Sequence, residues 1–132
     1  LTEPRLDASG REAKAFVCLE CGACKESTAA NVEFCCTNCR KAWNNRRAMR
    51  GAELYDLVMV WRFDRGRSKA LRIWTLLCRM ASLFRADDLE HRAGRRSWSA
   101  AEHVIDRKPH LQLAPVRRDV PALPEPQHQP EA

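Results

Sequence analysis

Cys18-Leu19-Glu20-Cys21-Gly22-Ala23-Cys24 and Phe34-Cys35-Cys36-Thr37-Asn38-Cys39-Arg40 are the two runs that decide how this chain folds. Six of the seven cysteines lie in them, a clustering that does not fit an evenly spread disulfide framework. Two thiolates a few residues apart can curl onto one ion, and two such pairs complete a tetrahedron of Zn–S bonds of about 2.3 Å. The spacing therefore predicts one structural zinc ion, Zn(2+), held by four of the six clustered cysteines. In the first run Gly22 follows Cys21, at the place where a metal knuckle turns with positive φ and aims its amides at sulfur, whereas Cys24 is followed by Lys25. Cys18 and Cys21 are favoured on that ground, with Cys24 and Cys36 left as substitutes. Cys18-x2-Cys21-x2-Cys24 also copies the opening of a ferredoxin run but lacks its x3-Cys-Pro continuation, so a redox or iron–sulfur protein stands as a rival reading.

The second run resembles the Phe-Cys-Ser-x-x-Cys-Arg motif of treble-clef zinc fingers of the FCS and MYM type, with Cys36 at the serine position. That resemblance implies Cys35 and Cys39 as ligands, giving the set Cys18, Cys21, Cys35 and Cys39. Residues 18 to 40 are also partly similar to the small bacterial DNA gyrase inhibitor zinc proteins. Leu19 stands where that family has proline, and Lys41-Ala42-Trp43-Asn44-Asn45 departs from the family's continuation, so gyrase inhibition is not carried over. The stretch from Cys39 to Leu57 is similar to uncharacterised small bacterial zinc-finger proteins, a resemblance that supplies no activity.

Beyond the last cysteine, Thr37 or Asn38 can cap a helix running from Cys39 to Arg50, with Gly51 as its stop or kink. Arg40, Lys41, Arg46, Arg47 and Arg50 supply five cations with no acid among them. At about 100° per residue, Cys39, Ala42, Trp43 and Met49 share the arc that faces the zinc lobe. Arg46 and Arg50 share it too and are expected to lay their stems along it with the charged heads outward. The opposite arc displays Arg40, Lys41, Asn44, Asn45, Arg47 and Ala48. Arg and Lys neutralise phosphate, and Arg and Asn read guanine and adenine edges, so this face is expected to bind nucleic acid, DNA rather than RNA. The bland alternative is that the cations only balance the formal −2 of four thiolates on zinc.

The rest of the chain frames this lobe. The net charge is +6, and residues 34 to 98 carry 15 Lys/Arg against 6 Asp/Glu, so an anionic partner would meet the middle. Two short strands are expected around a turn at Thr28 to Asn31, with Val32 and Phe34 on the second. A helix over 52 to 63 is apolar on several sides and expected to be buried on two. Leu71, Trp74, Leu77, Cys78, Ala81 and Phe84 recur at spacings of three and four, predicting an amphipathic helix over 68 to 85 with Cys78 buried on its apolar stripe. Ser99 to Glu102 has the form of a capping box for a short last helix to about residue 108.

The fold expected is α+β and mostly helical: a mobile arm (1–15), a treble-clef zinc lobe with its basic helix (16–50), a cluster of about three helices (51–108) and a Pro-rich disordered tail (109–132). No apolar run approaches the roughly 20 residues of a membrane span, and no secretory segment is evident, so the cytoplasm is the expected compartment. The histidines lack paired spacing and no serine or cysteine has a triad signature, so neither an enzyme nor a small-molecule substrate is expected. The function expected is that of a zinc-binding, non-catalytic nucleic-acid-binding protein, a small transcriptional regulator in kind. Its competitor is a zinc-stabilised protein-interaction module.

Overall fold

A computed structural model describes residues 3–113 of the chain. It divides into two units, Leu1–Ser97 and Trp98–Ala132. In the first unit, strands β1 (Lys14–Val17) and β2 (Cys24–Ser27) form an antiparallel hairpin with Lys14 opposite Ser27 and Val17 opposite Cys24. The hairpin is not where the sequence placed it. Its reversal is the knuckle itself: Cys18 N–H donates to Ala23 O (3.0 Å), Gly22 N–H donates to Cys18 O (2.9 Å), and Gly22 adopts φ 74°. The segment expected as the second strand returns along the knuckle instead, with Leu19 N–H donating to Glu33 O at 2.9 Å. Within the N-terminal segment, Leu6 bridges Glu12 around a turn in which the Asp7 carboxylate accepts from the amides of Ser9 and Arg11.

Helix α1 runs unbroken from Thr37 to Phe63. Gly51 therefore neither stops nor divides it; a single interior glycine costs about 1 kcal/mol relative to alanine, an amount that packing along a long helix offsets. The N-cap is Cys36, without a side-chain cap bond, rather than Thr37 or Asn38. Asp64 ends α1, and its carboxylate accepts from Arg67 N–H to open α2 (Arg65–Leu71) directly. The real break is Arg72, left-handed at φ 56°, after which α3 runs from Ile73 to His91.

Helices α1 and α3 pack antiparallel, shown by the contact of Arg50 with Asp87 and Asp88 and of Trp61 with Trp74, whose ring centroids are 5.3 Å apart. The least exposed row of α3 starts at Ile73 and continues through Leu77, Met80 and Phe84 to Asp88, and Phe84 and Asp88 meet Arg50 of α1. The expected stripe is thus rotated: Leu77 and Phe84 belong to the less exposed row, while Leu71 and Cys78 are exposed and Trp74 is exposed except where its ring meets Trp61. Val58, Met59 and Phe63 are exposed as well, so the second half of α1 is buried on one side, not two.

In the second unit, α4 (Ala101–Arg107) starts behind Ala100 with no side-chain cap, so Ser99 does not act as the expected cap. The helical turn α5 (His110–Leu113) occupies the start of the segment expected to be disordered, whose remainder, 114–132, lies outside the described residues. No helix among the described residues is long and apolar enough to cross a membrane.

Candidate metal centre

The hairpin and α1 deliver four sulfurs to one point. Cys18 directly follows β1 and Cys21 lies within the knuckle; Cys35 precedes α1 and Cys39 lies in its first turn. Their Sγ atoms all lie within 4.8 Å of one another, and Cys35 Sγ is 3.6 Å from both Cys21 Sγ and Cys39 Sγ. A tetrahedron with bonds of about 2.3 Å has an edge of about 3.8 Å, so the sulfurs fit a single tetrahedral metal ion such as zinc. Cys24 on β2 and the N-cap Cys36 are exposed and fall outside the group.

The protonation pattern fits a cation site too. Burial works to raise the Cys18 thiol, but the amides of Cys21, Cys35 and Glu20 outweigh it and bring the pKa down to about 6. Cys35 Sγ shares a hydrogen with Cys39, which lowers its pKa, yet the Cys21 contact and burial prevail and it rises to about 11. Cys39 is driven upward, chiefly by Cys35 and Cys36. Four crowded thiols cannot all ionise unless a cation joins them.

Gly22 is required where it stands. Besides its positive φ, a Cβ there would meet Arg95 Cδ at 3.0 Å. That arginine belongs to a clamp that the sequence pattern does not reveal. Helix α3 ends by reversal through Ala93 (φ 51°) and Gly94 (φ 79°), with Gly94 N–H donating to Asp88 O. The reversal brings Arg92 and Arg95 onto the knuckle. Arg92 donates to Leu19 O (2.9 Å) and Glu20 O (3.2 Å), and Arg95 Nε donates to Glu20 O (3.2 Å). The Glu20 carboxylate takes Arg46 on both oxygens and Arg92 on one, and Arg46 above all holds its pKa below the ordinary carboxylate value.

A second acidic centre ties the helices together. Asp88 is fully buried; its oxygens accept from Ser97 N–H (3.1 Å), Ser97 Oγ (2.8 Å) and Arg50 (2.9 Å). Arg46 Nε in turn donates to Ser97 Oγ at 2.9 Å, joining the two centres. The half-buried Arg46 and Arg50 thus direct their heads inward, against the expectation that they reach outward, because Glu20 and Asp88 wait beneath them. Trp43, 6% exposed, packs on Phe34 and is flanked by the guanidinium groups of Arg46, Arg47 and Arg92 at 5.2 to 5.7 Å.

Of the residues expected to meet nucleic acid, Arg40, Lys41, Asn44 and Asn45 are exposed on α1. Arg47 is exposed too, but its head is engaged: one guanidinium nitrogen donates to Ser97 O at 2.9 Å and the group lies over Trp43. Glu20, Asp88, Arg92 and Ser97 carry no local signal in the sequence, since each also depends on a partner far along the chain. Compared with protein families, curated proteins and solved structures, the chain matches none, so the metal reading stands on the four sulfurs themselves.

Proposed function

We propose that this chain is a zinc-stabilised, non-catalytic nucleic-acid-binding protein of the small-regulator kind, with Cys18, Cys21, Cys35 and Cys39 as ligands. A knuckle borne on a hairpin, followed by a helix whose first turn carries the last ligand, supports the treble-clef reading. The observation that carries the nucleic-acid reading is the division of cations on α1. Arg46 and Arg50 are consumed by Glu20 and Asp88, whereas Arg40 and Lys41 stand exposed beside Asn44 and Asn45, and no acid occurs from Thr37 to Ala52. Cations that are not spent on the protein's own carboxylates are available to phosphate, and the asparagines beside them to base edges.

A shift assay at low salt tests this. Duplex DNA is expected to bind, to dissociate steeply as salt is added, and to bind more weakly when Arg40 and Lys41 are replaced by Ala. No binding at low salt, or binding indifferent to both replacements, contradicts the reading. A protein-docking function is the second reading, favoured by the exposed Tyr55, Val58, Met59, Phe63 and Trp74 on the helical pair. Absent DNA binding would put it in front. Visible absorbance of the purified chain would favour iron over zinc.

A further inference from the structure

The knuckle's two central peptides are gripped from behind. The Leu19 carbonyl belongs to the same planar peptide as the Glu20 N–H, and the Glu20 carbonyl to the same peptide as the Cys21 N–H. In a trans peptide the two groups point in opposite directions. Arg92 holds the first carbonyl and, with Arg95, the second. The matching amides of Glu20 and Cys21 lie between the ligands Cys18 and Cys21, and the Cys18 sulfur itself accepts from Cys35 N–H at 3.4 Å. A guanidinium on the oxygen of a peptide polarises it and makes its N–H the stronger donor.

From this juxtaposition we propose that Arg92, some seventy residues from the knuckle, is a positioning residue of the metal site, fixing and polarising the two peptides that lie between the ligands Cys18 and Cys21. Arg92 suits this task. It is 5% exposed, its fork spans both carbonyls, and its charge is balanced by the Glu20 carboxylate at 2.8 Å and by Asp88 at 3.8 Å. A lysine keeps the charge but cannot reach both oxygens in one plane. The zinc affinity of the first unit is therefore set partly by how α3 ends.

The inference rests on the zinc reading, and the test separates the two. Zinc affinity is measured by chelator competition on the full chain, wild type against Arg92→Lys, Arg92→Gln and Arg50→Gln. Amide hydrogen exchange at Glu20 and Cys21 is followed in the zinc-saturated proteins. Arg50→Gln is the control, since Arg50 binds Asp87 and Asp88 but does not touch the knuckle. Arg92→Lys is expected to keep wild-type helix content at saturating zinc, lose about 10- to 100-fold in affinity, and exchange faster at those two amides. Arg50→Gln is expected to lower thermal stability while leaving both readouts unchanged. If Arg92→Gln fails to fold, Arg92→Lys decides. Equal losses in Arg92→Lys and Arg50→Gln, or no loss in Arg92→Lys, overturn the proposal. Zinc that fails to bind the wild-type chain overturns the metal reading and this inference with it.

Discussion

Asp88 shows how much of this molecule depends on single buried charges. It has no exposed surface, and its partners come from α1 and from the loop after α3. Removing one member of such a buried cluster strands the others, so Asp88→Ala is expected to lower stability by about 3–5 kcal/mol in urea unfolding; a loss near zero would mean that the cluster is wet. The pH dependence comes from the same groups. Arg46 helps hold Glu20 below its ordinary 4.5. Burial acts to raise Asp88, but Arg50 and Ser97 prevail and hold it below its ordinary 3.8. Both folded values are depressed, so this stabilisation is complete above the usual carboxylate range and is lost as pH falls through the folded values. With zinc in excess, the urea midpoint should hold from neutral pH to about 5 and fall on further acidification. A midpoint that rises in acid would contradict this. The cysteines were legible because their spacing is local and their chemistry specific. Glu20, Asp88 and Arg92 look like ordinary surface charges until the chain closes and pairs them.

Elements were legible in kind but not in extent. The long stretch free of proline after Cys39 announced a helix, yet its length depended on whether Gly51 breaks it, and the ties of Arg46 and Arg50 to α3 and the knuckle carry α1 through. A Cβ at Gly51 would meet nothing within 4 Å. Gly51→Ala is therefore expected to raise the unfolding midpoint, adding about 0.5–1 kcal/mol; destabilisation would contradict an unbroken α1 at this position. The stripe on α3 was misjudged for a different reason. The expected stripe of Leu71, Trp74, Leu77, Cys78, Ala81 and Phe84 rested on spacing alone, and Ile73, Leu77, Met80 and Phe84 have helical spacing as good. Packing chose the row that ends on Asp88, and a buried carboxylate is invisible to hydrophobic periodicity. The strands were misplaced because the metal knuckle itself supplied the reversal that a turn at Thr28 to Asn31 was expected to make.

At the scale of the whole first unit, the apolar core is thin. Among the described residues the buried apolar side chains are Cys18, Trp43 and Ile73, while Asp88, Arg92, Ser68 and Ser97 are buried polar ones. A core this small leaves the hairpin dependent on other ties, which the four sulfurs and the Glu20 and Asp88 clusters provide. Those clusters also settle which cations remain for a partner, and so connect stability to the surface on which function is proposed. The claim on which all of this depends is that four named thiolates hold one metal ion. Native mass spectrometry of the chain purified with zinc, beside Cys18→Ser, Cys39→Ser, Cys24→Ser and Cys78→Ser, tests it most directly. One zinc per chain is expected in the wild type, Cys24→Ser and Cys78→Ser, with zinc lost from Cys18→Ser and Cys39→Ser; full zinc in either of the last two, or none in the wild type, would contradict it.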